Sequence, residues 1–277
     1  MNVDLHCHST VSDGVLAPDQ VAYRAHKNGV ELWALTDHDE VGGLALAAQT
    51  ALNLGMGFVP GVEISVTFLN KTVHILGLGI DYTSVQLIDS LRYVRAGRWQ
   101  RAERISDALA GMGVANALEG AVPYATNPEL VSRTHFARFL VDQGYCATLQ
   151  DVFNKYLGDQ APAYVPMQWA TLEEAIQWIQ QAGGVAVIAH PGRYEFDPLQ
   201  FDVLFERFKD LGGVGIEVVT GSHAPHQYNE YAQVAKRYGF EASLGSDFHG
   251  PAEGRLDLGQ LPALPSGLTP IWQRWLS

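Results

Sequence analysis

Six histidines and several carboxylates of this chain fall in a pattern that suits metal chemistry. His6-x-His8 and Asp37-His38-Asp39 each follow a short apolar run, as do His190-Pro191-Gly192-Arg193 and Asp247-x-His249. His74 lies near the start of another run, Glu63 ends the one before it, and His223 follows a further run after Thr220-Gly221-Ser222. Residues i and i+2 of a strand point to one face. His6 and His8 therefore share a face and Cys7 turns away, and Asp247 and His249 repeat that spacing. Each cluster alone has an ordinary explanation. H-x-H can be two polar residues leaving a strand, Asp37 or Asp39 can cap a helix, and a lone strand histidine is usually a hydrogen-bonded core residue. Five clusters placed alike are better explained by one shared site. Imidazole and carboxylate without thiolate suit Mn²⁺, Fe²⁺ or Zn²⁺, and affinity order alone does not choose among them.

Something must carry these clusters to one place. Short strands are expected at Val3 to Leu5, Glu31 to Thr36, Phe58 to Val62, Val73 to Ile80, Val185 to Ala189, Val214 to Val219 and Glu241 to Leu244. Helices are expected between most of them: from Pro18 to Gly29, Leu44 to Leu54, Leu172 to Gln181 and Gln227 to Tyr238. Alternating strands and helices predict parallel βαβ units. Functional residues at strand ends predict a closed barrel whose active face is that end. The expected fold is α/β, an irregular (β/α)7 barrel. An open doubly wound sheet would gather its ligands at a single switch point instead.

Residues 99–164 break the rhythm. No strand is expected there, but helical stretches run through Arg104 and Leu109, Thr134 to Gln143 and Leu149 to Leu157, punctuated by Pro123, Pro128 and Pro162. The segment reads as a small helical insertion over the barrel mouth, a substrate lid, with the metal-binding barrel built from residues 1–98 and 165–277. No internal repeat or low-complexity segment occurs.

Bulk properties narrow the function. The composition is that of an ordinary globular chain of 277 residues, long enough for one large core or a core plus a small second domain. The formal net charge of −12 argues against binding long nucleic acid through a basic surface. It allows a small anionic substrate where bound cations reverse the local potential. No apolar run of about 18 residues is present, so no membrane span is expected. The N-terminal residues do not resemble a signal peptide. Two cysteines, Cys7 and Cys146, make no disulfide framework, which points to the reducing cytoplasm. The number of subunits is not legible.

The combination His6-x-His8, Thr36-Asp37-His38-Asp39, Glu63 with His74, His190-Pro191 and Ser246-Asp247-x-His249 resembles the motif set of the polymerase and histidinol phosphatase (PHP) domain family. The likeness spans almost the whole chain. With Ser12-Asp13-Gly14, Gly61-Val62-Glu63, Gly221-Ser222-His223 and the insertion, it is closest to stand-alone bacterial phosphoesterases of nucleoside 3′,5′-bisphosphates, whose relatives trim short RNA from the 5′ end. The resemblance implies three divalent ions, Mn²⁺ first, with Fe²⁺ or Zn²⁺ as alternatives. One would be held by His6, His8, Glu63 and Asp247. A second would share Glu63 and add His74 and His190. A third would take Asp13, His38 and His249.

The implied reaction is hydrolysis of the 3′-phosphate of a nucleoside 3′,5′-bisphosphate of the adenosine type, by a metal-bridging hydroxide. Asp13, Glu63 and His223 are the candidate catalytic residues, with His223 as a proton donor to the leaving oxygen. Its ordinary reading is a loop residue capping the next helix. Asp37 and Asp39 are expected behind the ligands, orienting them. Ser132, Arg133, Arg193, Ser222 and His223 are the candidate substrate contacts, because helix N-termini and arginine forks hold phosphate. Tyr124, Phe136 or Trp169 could stack on a base, although core packing is the commoner role of such aromatics. Alternatives are a 5′-to-3′ exoribonuclease of short RNA, a histidinol-phosphate-type phosphatase, a non-catalytic PHP module, or an amidohydrolase on a similar barrel.

Overall fold

A computed structural model describes residues 1–276. Ser277, the last residue of the expected second barrel segment, lies outside the described residues. Strand β1 (Val3–Asp4) is followed by α1 (Pro18–Lys27), β2 (Leu32–Leu35), α2 (Leu44–Asn53), β3 (Gly57–Phe68) and β4 (Lys71–Leu78). Five helices come next: α3 (Val85–Ala96), α4 (Arg98–Ala110), α5 (Ala117–Ala121), α6 (Arg133–Asp142) and α7 (Leu149–Val152), the last continued by a π-helical turn at Phe153–Leu157. The chain then returns through β5 (Ala170–Thr171), α8 (Leu172–Gln181), β6 (Val185–Ile188), α9 (Pro198–Asp210), β7 (Gly215–Thr220), α10 (Pro225–Tyr238) and β8 (Glu241–Gly245).

The strands join in the order β1-β2-β3-β4-β6-β7-β8, with the short β5 added beside β3. The ends of the path meet. The Leu5 amide donates to the Leu244 carbonyl at 3.1 Å and the Asp247 amide to the His6 carbonyl at 2.8 Å, which closes the sheet into a barrel. The expected barrel is present, and each of the seven expected strands lies on this path. Pro18 opens α1 and Gly29, at φ +80°, follows its end, so both signals read from the sequence act as helix boundaries.

The parallel expectation needs one correction. β4 runs antiparallel to both β3 and β6. Only Leu69 and Asn70 separate β3 from β4, and both have positive φ, 48° and 62°. This is the backbone of a two-residue hairpin turn, and it leaves no chain for a crossover helix. The reversal explains His74. It lies early in β4, yet the reversed strand brings that early part to the end where the other strands finish. His74 pairs directly with Ser65, two residues beyond Glu63 on the same face of β3.

Apolar side chains of the strands and of α1, α2 and α8 to α10 form one core, with Trp33, Leu35, Ile64, Ile75, Leu76 and Phe208 wholly buried. Residues of α4 to α7 share a separate core around Ile105, Leu109, Phe136, Leu140 and Leu157. Among the described residues no helix is long and apolar enough to cross a membrane.

Barrel closure rests on a small residue. A Cβ at Gly245 would lie 2.2 Å from the His6 Cβ and 2.7 Å from the His6 nitrogen. Gly245→Ala is therefore expected to destabilise the metal-free protein by about 1–3 kcal/mol, the usual cost of overpacking. Urea unfolding checks this; an unchanged midpoint would show that β1 and β8 are not held this closely.

Candidate metal centre

Every proposed ligand leaves a strand end or a loop at one rim. His6 and His8 follow β1, Asp13 lies in the next loop, and His38 follows β2. Glu63 and His74 stand in β3 and β4, His190 follows β6, and Asp247 and His249 follow β8. The backbone is unusual at three of these turns: Asp39, His190 and Asp247 have φ of 50°, 25° and 54°. Positive φ in a side-chain-bearing residue is costly and gathers at functional sites.

Glu63 is the hub. It is wholly buried, and its Oε2 lies 3.3 Å from His6 Nε2, 3.3 Å from His8 Nε2 and 3.0 Å from His38 Nδ1. Its Oε1 lies 3.0 Å from His74 Nδ1 and 2.9 Å from His190 Nε2. Asp247 Oδ1 approaches the same His6 and His8 nitrogens at 3.5 and 3.3 Å. On the far side of His8, Asp13 Oδ1 lies 3.3 Å from His249 Nε2 and 3.9 Å from both His8 Nδ1 and His38 Nε2. The ligand atoms fall into overlapping groups: His6 with Glu63 and His190; His6 with His8 and Asp247; His38 with Glu63 and His74; and His8 with Asp13, His38 and His249.

These donors fit cations better than they fit one another. His38 Nδ1 and Glu63 Oε2 are close but not in hydrogen-bonding geometry, and His8 Nδ1, Asp13 Oδ1 and His190 Nδ1 are likewise buried without hydrogen-bond partners. Buried polar atoms are normally paired, and those of His8, Asp13, His38 and Glu63 lie in groups that could hold a metal ion. The set is nitrogen and oxygen only. Cys7 turns away, as expected, and its sulfur accepts from Trp33 Nε1.

The charges agree. Burial would raise the Glu63 carboxyl, but His38, His74 and His6 hold it well below its ordinary range. Burial is likewise overridden at Asp13 by His249 and His38, and at Asp247 by His6 and His8. Burial would lower the His8 imidazole, but hydrogen bonds to Asp247 and Glu63 raise it to about 10. Burial instead wins at His190, pushed down to about 3. The carboxylates thus stay ionised and recruit protons onto His6 and His8, the positive charge that divalent cations supply when they bind and displace those protons.

A ring of buried groups fixes the ligands from behind. Asp37 accepts from the Ser9 amide, the Ser9 hydroxyl and the Ser12 hydroxyl, and so shapes the loop that carries Asp13. Asp39 accepts from the Ser65 amide and hydroxyl and pairs with Arg98. The two carboxylates bind the loops rather than the imidazoles. The residue that does hold ligands is Glu217, unforeseen in the sequence. Its Oε1 lies 3.0 Å from His6 Nδ1 and its Oε2 accepts from the His190 amide at 2.6 Å. A hydrogen bond from His6 Nδ1 to Glu217 would leave Nε2, on the side of Glu63 and Asp247, free to bind a cation once its proton is displaced. A lone glutamate inside the apolar run of β7 was the available signal.

The centre opens into a cavity of about 980 Å³. Ser132, Arg133, Arg193 and Ser222 line it, as do Arg98, Arg101, Lys71 and Arg255, which the sequence reading did not select. Arg193 lies 3.3 Å from Asp247, and the Ser222 hydroxyl donates to the same carboxylate. Arg133 reaches Asp159 at 3.0 Å.

Four expectations are corrected by the geometry. His223 is wholly buried beneath the wall, with Nε2 accepting from the Gly192 amide at 2.9 Å, Nδ1 facing the Val218 carbonyl and its ring stacked on Tyr231. Both nitrogens are committed, and burial lowers the ring to about 4, so it stays neutral and has no proton to donate into the cavity. Phe136 is wholly buried in the insertion core, and Tyr124 is engaged with Asp142. Trp169 does line the cavity, but Arg98 and Arg101 cover its ring at 4.7 and 5.3 Å.

A closed α/β barrel with histidines and carboxylates converging at one rim defines a divalent-metal-binding protein of the barrel hydrolase type. The chain belongs to the PHP domain family, whose match spans residues 4–249. It is 48% identical over 272 residues to the 3′,5′-nucleoside bisphosphate phosphatase of Chromobacterium violaceum, covering 98% of this chain and 95% of that one. It is 40% identical over 274 residues to the 5′-3′ exoribonuclease Rnm of Salmonella typhimurium, covering 98% and 93%. It also superposes with a TM-score of 0.96 on a Chromobacterium violaceum structure described as an amidohydrolase with bound sulfate and no metal, at 47% identity over 99% of this chain and 95% of that one.

Glu217 offers a direct check on the centre. A glutamine there can accept from His6 or from the His190 amide but loses the charge that supports both. Glu217→Gln is expected to weaken divalent-metal binding about 10- to 100-fold, measured by equilibrium dialysis and elemental analysis. Wild-type affinity in this variant would remove Glu217 from the support of the centre.

Proposed function

We propose that the protein is a divalent-metal-dependent phosphatase that removes the 3′-phosphate from nucleoside 3′,5′-bisphosphates, leaving a nucleoside 5′-monophosphate. The observation that carries this reading is the cationic wall beside the metal centre. The chain is acidic overall, yet six of its 18 Lys and Arg residues line this one cavity. Arg101 is the clearest case. It is buried, its Nε donates to the Val165 carbonyl at 2.8 Å, and it pairs with no carboxylate among the described residues. Burial and the neighbouring Arg133 and Arg98 all disfavour its charge. A second anionic group arriving there relieves that cost, and guanidinium forks suit phosphate oxygens. A substrate with two phosphates satisfies both halves of the cavity, one at the metals and one at the arginines. The name of the Chromobacterium violaceum relative supports the same substrate class.

The proposed ligands are His6, His8, Asp13, His38, Glu63, His74, His190, Asp247 and His249, the overlapping groups of the cluster. The reading is three ions, with Mn²⁺ taken first from the family resemblance; the nitrogen and oxygen donor set without thiolate suits Fe²⁺ and Zn²⁺ as well. When bound, such ions supply an activated water and neutralise charge during in-line displacement at phosphorus. The protein's part is to hold the ligands and orient the ester. Arg193 and Ser222 brace Asp247 at the edge of the centre. Arg98, Arg101 and Arg133 take the remote phosphate, with Ser132 beside them at the start of α6.

Incubation of the Mn²⁺-loaded protein with adenosine 3′,5′-bisphosphate is expected to release phosphate and leave adenosine 5′-monophosphate. Chelation should abolish the reaction. No release from fully loaded protein would overturn the proposal. Arg101→Met is expected to raise KM for the bisphosphate about tenfold or more, since a hydrogen bond to a charged group contributes roughly 1.5–3 kcal/mol. It should leave KM for a nucleoside 3′-monophosphate nearly unchanged. Equal effects on both substrates would remove the two-phosphate argument.

A second activity, stepwise 5′-to-3′ hydrolysis of short RNA, is supported by the similarity to the exoribonuclease. The same ions can serve a diester. A labelled oligoribonucleotide shortened from its 5′ end separates the two, and histidinol phosphate and amide substrates in the same panel address the remaining readings. A cytoplasmic location is proposed from the two unpaired cysteines.

A further inference from the structure

Asp13 is held at both ends by the helical insertion. Its Oδ1 faces the imidazoles of His249, His8 and His38 and has no hydrogen-bond donor of its own. Its Oδ2 accepts from the Thr134 hydroxyl at 3.0 Å and, more weakly, from the Ser132 hydroxyl at 3.4 Å. Its main-chain carbonyl accepts from Arg138 Nη2 at 2.6 Å. Ser132, Thr134 and Arg138 all belong to the start and first turns of α6, whereas Asp13 belongs to the barrel.

Arg138 also reaches a third element. Its guanidinium, nearly buried, makes a two-pronged pair with Glu253, with Nε to Oε1 at 2.8 Å. Glu253 lies in the loop that leaves His249. The same loop is tied to the Asp13 loop by the Val15 amide, which donates to the His249 carbonyl at 2.8 Å. One arginine of the insertion therefore clamps the two barrel loops that carry Asp13 and His249. The start of α6 is itself fixed. The Ser132 hydroxyl accepts from the Thr134 amide, and His135 Nδ1 accepts from the Ser132 amide at 3.0 Å. The hydroxyl of Thr134 is thus presented in one position.

We propose that Arg138 and Thr134 are positioning residues for the Asp13–His38–His249 cluster, so that docking of the insertion and occupancy of that cluster by a cation are thermodynamically linked. The inference rests on the metal reading of the cluster. Its physical content is reciprocal. A cation that binds only when Asp13 is correctly aimed must stabilise the docked insertion by the same free energy by which docking strengthens cation binding. Two of the other groups share His8 or His38 with it, but none contains Asp13 or a residue of α6, so they should stay near wild-type affinity.

The test uses the full chain, metal-free, dialysed against graded free Mn²⁺, with bound metal counted. Arg138→Met and Thr134→Val are expected to weaken one ion of the set about tenfold or more and leave the rest at wild-type affinity. Arg138→Lys keeps the charge but cannot form the two-pronged bridge, and it should recover only part of the loss. Hydrogen exchange supplies a second readout. Mn²⁺ should slow the amides of residues 133–142 in the wild type, and this slowing should vanish in Arg138→Met. If Arg138→Met fails to fold, Thr134→Val, which deletes a single hydroxyl, decides the matter. Wild-type metal titration and wild-type protection in the variants would overturn the linkage while leaving the metal reading intact. A wild-type chain that holds no ion would overturn the metal reading itself, and the linkage with it.

Discussion

The Glu63 carboxylate is buried at the rim of a closed barrel, and five imidazoles converge on its two oxygens. An ionised carboxylate out of water is tolerated only when positive charge and polar donors surround it. The rest of the rim is arranged around that requirement. Asp247 and Asp13 add carboxylates on either side of His8, so the centre is a continuous row of nitrogen and oxygen donors. Such a row is stable as a cation site, and its orphaned atoms show that the protein does not complete it with its own hydrogen bonds.

The barrel serves this row by precise backbone geometry. The hairpin at Leu69-Asn70 reverses β4 and brings His74 to the rim beside Ser65. Gly245 lets β8 press against His6. Asp37, Asp39 and Glu217 then fix the loops and rings from behind. These buried acids bring their own desolvation cost, offset by amide and hydroxyl donors, by Arg98 and by His6. A polar network of this kind is stable only when nearly every member is satisfied.

The insertion adds what the barrel lacks. Arg133, at the start of α6, and Arg98 and Arg101, from α4, line the same cavity close to one another. The cavity joins a floor of carboxylates and imidazoles to a wall of cationic side chains. In an acidic chain, cations bound there would act with these arginines to draw an anion to the cavity. Arg138 and Thr134 of α6 hydrogen-bond to Asp13 of that floor.

Much of this was legible in the sequence because it depends on residue type and short-range spacing. The period-two pattern of His6-x-His8 and Asp247-x-His249, the apolar runs ahead of them and the Pro18 and Gly29 boundaries are local facts, and each specified its own element. The nine candidate ligands could be chosen because imidazoles and carboxylates at strand ends are rare without a purpose. Only the tertiary structure decided the direction of β4, since strand pairing is a contact between distant segments. Only it exposed Glu217, hidden in an apolar strand, and placed Arg98 and Arg101 at the cavity. It also withdrew His223, because a histidine after a strand can turn either way, and here Gly192, Val218 and Tyr231 take both its nitrogens and its ring. A sequence shows which groups can ionise or bind; which of them meet, and which are used up by their neighbours, depends on long-range packing.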